Sequence, residues 1–207
     1  MLQLYDYAAS ANCLKVRVLL RQLGLEWQRL PVDLFAGETR TDEYLALNPA
    51  GRTPVLVLDD GQTLAESGAI LLFLADGTPF LPADRLVQAR VHQWLFFEQN
   101  LLEPNVGTAR FWTLTGRDRL RPEVFEQKVE AGRDALAVLE RGLAGRVFLV
   151  ADRYSVADLA LYAYTHVAGD ASIDMSPYRA VAEWLARVEA QPGFTNDLEP
   201  YPANAQV

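Results

Sequence analysis

Between Leu2 and Leu74 the chain alternates short apolar runs with stretches of helical periodicity. Leu2-Gln3-Leu4-Tyr5 predicts a short strand. From Asn12 the apolar positions Cys13, Leu14, Val16, Val18, Leu19, Leu20 and Leu23 predict a helix, which Gly24 stops. Trp27 to Val32 predicts a second strand, and Pro31 marks it as an edge or irregular one. Thr41 to Leu47 predicts a short helix, followed by the turn Asn48-Pro49-Ala50-Gly51. Thr53 to Leu58 and Thr63 to Ala65 flank Asp59-Asp60-Gly61-Gln62, the best hairpin pattern in the chain. A helix from Ser67 through Leu74 completes the order βαβαββα.

Turn formers then crowd Asp76-Gly77-Thr78-Pro79-Phe80-Leu81-Pro82, and beyond them the period is helical. Helices are expected near 84–112, 122–142, 155–168 and 178–190, with Val147-Phe148-Leu149-Val150 the only strand-like run between them. The change of period predicts a mixed-sheet α/β domain over 1–77, a linker over 78–86 and an all-helical domain over 87–207.

Half of the residues are hydrophobic, ample for a core, yet no apolar run reaches the roughly 18 residues a membrane-spanning helix needs. Asp6 near the start, with no basic run, argues against a signal peptide. One cysteine excludes an intramolecular disulfide and fits a reducing, cytoplasmic setting. With 27 acidic against 19 basic residues the net charge is -8, and no Lys/Arg cluster reverses it locally. Nucleic acid and anionic membranes are therefore poor partners. A small anion is still admissible, because helix N-termini and single arginines bind one whatever the total charge.

Two motifs carry candidate chemistry. Pro54 either simply opens a strand or follows a cis Thr53–Pro54 bond. A cis bond would turn the Thr53 backbone toward a cleft, where a peptide-like ligand can pair with it. Ser67 stands where strand gives way to helix, so its hydroxyl and the free N–H groups suit a carboxylate. Glu66 beside it suits an ammonium group. Together the two fit an α-amino acid, although a plain cap beside a solvated glutamate reads the same way.

Asn48-Pro49-Ala50-Gly51-Arg52-Thr53-Pro54-Val55-Leu56 and Leu64-Ala65-Glu66-Ser67-Gly68-Ala69-Ile70 resemble the signatures of the cytosolic glutathione transferases. Tyr154-Ser155-Val156-Ala157-Asp158-Leu159 resembles that family's capping box and its flanking staple. The resemblance implies a thioredoxin-like first domain and an all-helical second one. It implies glutathione as co-substrate and no metal. Glu66 and Ser67 would hold the γ-glutamyl end, and Thr53, before a cis Pro54, would pair with the cysteinyl amide. Arg52, Thr39 or Arg40 would face the glycyl carboxylate. Ser155 and Asp158 would serve structure, not catalysis.

Glutathione brings its own thiol, with an ordinary pKa of about 8.5, so the protein needs donors around the sulfur more than a nucleophile. Ser10 opens the first helix and supplies a short donor backed by the helix N-terminus. Cys13 falls on an apolar face and is expected in the core. With serine at the first position of a Cys-x-x-Cys spacing, two-cysteine disulfide reduction is excluded. Ser10-Ala11-Asn12 is similar to the Ser-Gly-Asn opening of a bacterial group in the family, with alanine replacing glycine. That likeness makes Asn12 a second donor. Tyr7 is the rival hydroxyl.

The helical domain is expected to build a hydrophobic electrophile pocket against the first loop, with Arg110, Phe111, Trp112 and His166 as candidates. Members of the family are typically homodimers, and Gln99 or Glu98 of the long helix would complete a partner's γ-glutamyl site. The leading expectation is a detoxifying glutathione transferase. Glutathione-dependent disulfide or peroxide reduction at the same site is the alternative, followed by a non-catalytic scaffold or regulator.

Overall fold

The computed structural model describes residues 1–207. Two compact units emerge: Met1–Asp76 with Pro192–Pro200, and Gly77–Gln191 with Tyr201–Val207.

In the first unit β1 (Leu2–Asp6), α1 (Ala11–Gln22), β2 (Trp27–Pro31), α2 (Asp42–Leu47), β3 (Val55–Val57), β4 (Thr63–Ala65) and α3 (Ser67–Ala75) follow the expected order. The sheet runs β2-β1-β3-β4, with β1 parallel to β2 and antiparallel to β3, and β3 antiparallel to β4. Pro31 ends the edge strand, where its missing N–H deprives no neighbour of a ladder bond. Leu4, Leu14, Leu19, Leu56, Ile70 and Leu71 have no exposed surface. Each contributes about 1.5–3 kcal/mol by leaving water. Helix α1 is buried so completely that Lys15 and Arg17 go with it.

In the second unit α4 (Arg85–Phe97), a π-helical stretch Glu98–Gly107 and α5 (Thr108–Thr115) replace the single helix expected over 84–112. Pro104 lies inside the π stretch and has no N–H to give the α-ladder. Gly107 is required there, because a Cβ would sit 2.7 Å from the Tyr164 ring. Helices α6 (Pro122–Leu143), α7 (Val156–Thr165) and α8 (Arg179–Glu189) complete the unit. Asp158 accepts from Ser155 N–H, the Ser155 hydroxyl, Leu149 N–H and Trp184 Nε1, all at 2.9–3.0 Å. The capping box is therefore real, and it reaches beyond its own helix. Burial pushes the Asp158 carboxyl up to about 6 against these donors. No helix is long and apolar enough to cross a membrane.

Three expectations are corrected. Val147–Val150 forms no strand beyond a bridge from Val150 to Arg153, because Asp152 and Asp158 take the Val147 and Leu149 N–H groups. The expected linker is not a separate segment after Gly77, since Phe80 packs edge-on against Tyr154 at 5.8 Å and accepts from Val156 N–H. Pro192–Pro200, expected in the helical domain, clusters with the first unit instead. Arg17 and Arg21 of α1 both pair with Asp197, and Glu199 N–H donates to the Ala8 carbonyl at 3.2 Å.

Candidate active site

Ser10 is the N-cap of α1, in extended backbone geometry, and its Oγ accepts from Cys13 N–H at 3.3 Å. The cap oxygen is thus engaged as an acceptor, and the hydroxyl proton, for which the Cys13 sulfur competes, is what it can offer a ligand. Ser10 lines a cavity of about 260 Å³ together with Leu34, Thr39, Arg40, Gly51, Arg52 and Thr53. The Thr53–Pro54 bond is cis.

The turn after α2 fixes the floor of this cavity. Asn48 holds Ala50 N–H through Oδ1 and the Arg52 carbonyl through Nδ2 at 2.8 Å, and the Tyr44 hydroxyl donates to the same carbonyl. Gly51 has φ +59°, and a Cβ there would stand 2.4 Å from Arg40 Nη1. That glycine lets the Arg40 side chain lie across the turn and donate to the Ala50 carbonyl at 3.1 Å. Neither Arg40 nor Arg52 is tied up in an ion pair, so two guanidinium groups border one small cavity. Thr39 is buried behind them.

Ser67 is buried at the first turn of α3, and its hydroxyl donates to Asn12 Oδ1 at 3.1 Å. Glu66, exposed beside it, holds φ 68°. A non-glycine residue in that region stores about 1–3 kcal/mol and is found where the surroundings impose it.

Cys13 has no exposed surface and accepts from Tyr7 N–H at 3.4 Å. Burial pushes its thiol up to about 11, the Asp6 charge adds to this, and hydrogen bonds from Tyr7, Thr53 and Ser10 offset only part. This thiol stays protonated and out of reach. Tyr7 is buried against Phe35 at 6.2 Å and does not line the cavity that Ser10 lines.

The helical candidates fare differently. Arg110 is buried, pairs with Asp170 at 3.3 Å and stacks over the Tyr201 ring, so it is an internal cation and not a pocket wall. Phe111 packs on Tyr201 at 5.4 Å under the Arg117 guanidinium. His166 stacks flat on Tyr162 at 4.5 Å, and its Nδ1 lies 2.9 Å from the Tyr162 carbonyl. A carbonyl only accepts, so Nδ1 carries the proton; burial lowers the His166 pKa and keeps the ring neutral. Trp112 is half-buried. Gln99 Nε2 donates to both Glu98 and Glu103, which leaves Oε1 as its acceptor.

The profile of the glutathione S-transferase N-terminal domain matches residues 9–76, and that of the C-terminal domain matches 104–192. The disulfide-bond oxidoreductase YfcG of Escherichia coli K12 is 30% identical over 93% of this chain and 92% of its own length. The chain belongs to the cytosolic glutathione transferase family. A glutathione S-transferase crystal structure from Pseudomonas fluorescens Pf-5 superposes with a TM-score of 0.93 at 42% identity, covering 96% of this chain and 99% of that one. Ure2p in complex with glutathione superposes at 0.83 with 26% identity, over 93% and 95% of the two chains. In this member of the family the sequence reading overlooked Lys15, whose Nζ donates to Asn12 Oδ1 at 2.7 Å. Its signal was a lone lysine inside an apolar helix run. Leu34 and Gly51 of the cavity were also missed, the first because its loop has no periodicity to read.

Proposed function

We propose that this glutathione transferase holds glutathione with its thiol at Ser10, stabilises the thiolate there, and directs it at a hydrophobic electrophile. The observation that carries this reading is the pairing of a half-buried donor on the cavity wall with a silenced thiol. Ser10 borders the cavity at the α1 N-terminus, while the chain's one cysteine is buried and protonated. The reactive sulfur must then come with the ligand. The O–H of Ser10 and the positive helix end lower the thiol pKa, and the released proton passes to water. The thiolate forms a carbon–sulfur bond to the electrophile, and either a leaving group departs with its electron pair or the adduct takes up a proton.

Glu66 and the α3 N-terminus with Ser67 receive the γ-glutamyl ammonium and carboxylate. The Thr53 backbone pairs with the cysteinyl amide, and Arg40 and Arg52 in front of Thr39 receive the glycyl carboxylate. Trp112 is the remaining half-buried candidate for the electrophile. A homodimer is part of the proposal: α4 leaves Leu86 61% and Phe96 66% exposed, two apolar side chains that a second copy would cover. Gln99 Oε1 is then the acceptor offered to the partner's ammonium group. A reducing cytoplasm is the setting we assign.

The likeness to YfcG favours a second reaction at the same site, in which two glutathiones reduce one disulfide to two thiols and leave as glutathione disulfide. It too needs no thiol from the protein. The test is a pH titration of thiolate ultraviolet absorbance in the glutathione complex, with conjugation and disulfide reduction assayed on the same preparation. Ser10→Ala should raise the bound thiol pKa and lower turnover by about 10-fold or more, the value of one charge-assisted hydrogen bond. A Ser10→Ala complex with unchanged thiol pKa and turnover would remove Ser10 from the mechanism.

A further inference from the structure

Gly142 lies in the last turn of α6 with ordinary helical backbone, so space and not conformation calls for a glycine there. A Cβ would stand 2.6 Å from the Trp94 ring, which Phe97 meets edge-on at 5.3 Å. The indole held this way is only half-buried. Arg90, Gln93 and Trp94 of α4, with Gly142, Arg146 and Leu149, line a cavity of about 270 Å³, near the small end of ligand-sized pockets (roughly 300–1,000 Å³). It shares no residue with the cavity at Ser10.

The charge of this cavity runs against that of the chain. The net charge is -8, yet neither guanidinium on the cavity is in an ion pair. The acids nearest in sequence are engaged elsewhere: Asp84 accepts from Val87 N–H, Glu140 from Ala180 and Val181 N–H, and Asp152 from Val147 N–H. Arg187 donates to the Val147 and Arg146 carbonyls at 3.0 and 3.4 Å, so a third guanidinium stands beside the same turn. These three arginines are far apart in sequence, and only the fold brings them together.

We propose that this cavity is a second binding site, whose ligand is a phosphate monoester of a flat ring: Arg90 and Arg146 hold the phosphoryl oxygens, and Trp94 lies against the ring. A guanidinium is always charged, and its planar fork matches a pair of oxygens. A carboxylate has two oxygens and one charge, which a single fork satisfies, and the second arginine would stay unpaired. A phosphate monoester brings three oxygens and a charge of about -1.5 to -2 near pH 7, enough for both. Arg187 adds to the same field from outside the lining. The indole and Leu149 supply an apolar wall for the organic part, and Gln93 supplies an amide. No nucleophile or general acid lines the cavity, so its role is binding.

The experiment titrates phenyl phosphate into the full-length protein labelled with nitrogen-15, and follows the indole N–H signals by NMR. Trp94→Phe assigns its signal among the four tryptophans. The Trp94 signal should move and saturate. Arg90→Gln and Arg146→Gln should each weaken binding by about 10-fold or more, the value of a lost hydrogen bond to a charged group. Both side chains are exposed, so these variants should unfold at the wild-type temperature. Benzoate and inorganic phosphate, each lacking one half of the probe, should bind at least about 10-fold more weakly. Excess glutathione should not displace the probe. Four results overturn the proposal: no Trp94 response up to about 10 mM probe, arginine variants that bind like wild type, benzoate that binds as tightly as phenyl phosphate, or displacement by glutathione. Light scattering gives a fifth, since a mass that falls as the probe is added would make the cavity a seat for carboxylates of a second copy.

Discussion

The Ser67 hydroxyl donates to Asn12 Oδ1 at 3.1 Å and so joins the first turns of α3 and α1. A hydroxyl has one proton, and a carboxylate arriving at the α3 N-terminus competes for it. Ser67→Ala should therefore weaken glutathione binding by about 10-fold, the value of a hydrogen bond to a charged group. The thiol pKa of the complex should move much less. Isothermal titration with glutathione measures the first and thiolate absorbance the second. Unchanged affinity would exclude the Ser67 side chain from the carboxylate site.

Cys13 gives a pH signature in stability. Its folded pKa of about 11 lies above the unfolded value of about 8.5, so over that window the unfolded chain loses a proton that the folded chain keeps. Stability should then fall as pH rises from about 8.5 toward 11, by roughly 3–3.5 kcal/mol from this group. Urea unfolding of wild type and Cys13→Ala across pH 7.5–10.5 isolates the effect: the difference between them should narrow or reverse at the alkaline end. Iodoacetamide should label native Cys13 only as fast as the fold opens.

At the acid end Asp197 is the responsive group that joins α1 to the returning segment. Burial pushes its carboxyl up, but hydrogen bonds from Arg21 and the charge of Arg17 win and hold it below its ordinary value. A depressed carboxylate contributes stability above its unfolded pKa of about 3.9 and loses it as pH falls through the folded one. Asp197→Asn should lower stability at pH 7 and flatten the acid limb of the stability curve. Proteolysis at pH 7 should also reach Pro192–Pro200 sooner in the variant.

Asp158→Ala should destabilise the protein by about 3 kcal/mol or more. It removes a cap worth about 1 kcal/mol and leaves the Leu149 N–H and the Trp184 indole N–H buried without acceptors. Activity per folded molecule should be unchanged. A fall in kcat with normal stability would make Asp158 a functional acid after all.

Periodicity carried the fold well because the first unit obeys local rules: strand runs, a Gly24 stop, an Asp-Gly hairpin and serine caps at Ser10 and Ser155 all act within a few residues. Side chains whose role depends on distant partners were harder to read. Arg110 looked like a pocket residue from its aromatic neighbours in sequence, whereas Asp170 and Tyr201 are what define it. Lys15 contacts Asn12 only one turn away, yet its burial is something the sequence does not state. The same limit hid the return of Pro192–Pro200, since nothing between Gln191 and Tyr201 has a period to follow.

That returning segment ties the first unit to the timetable of synthesis. The ribosome releases all seven elements of the α/β unit early, but Asp197 follows only after more than a hundred further residues. At about 5–20 residues per second that is a wait on the order of ten seconds. Through it Arg17 has Asp6 but not Asp197, and Arg21 lacks its partner. The Arg17–Arg21 side of α1 thus gains its last ionic partner only when nearly the whole chain has been made.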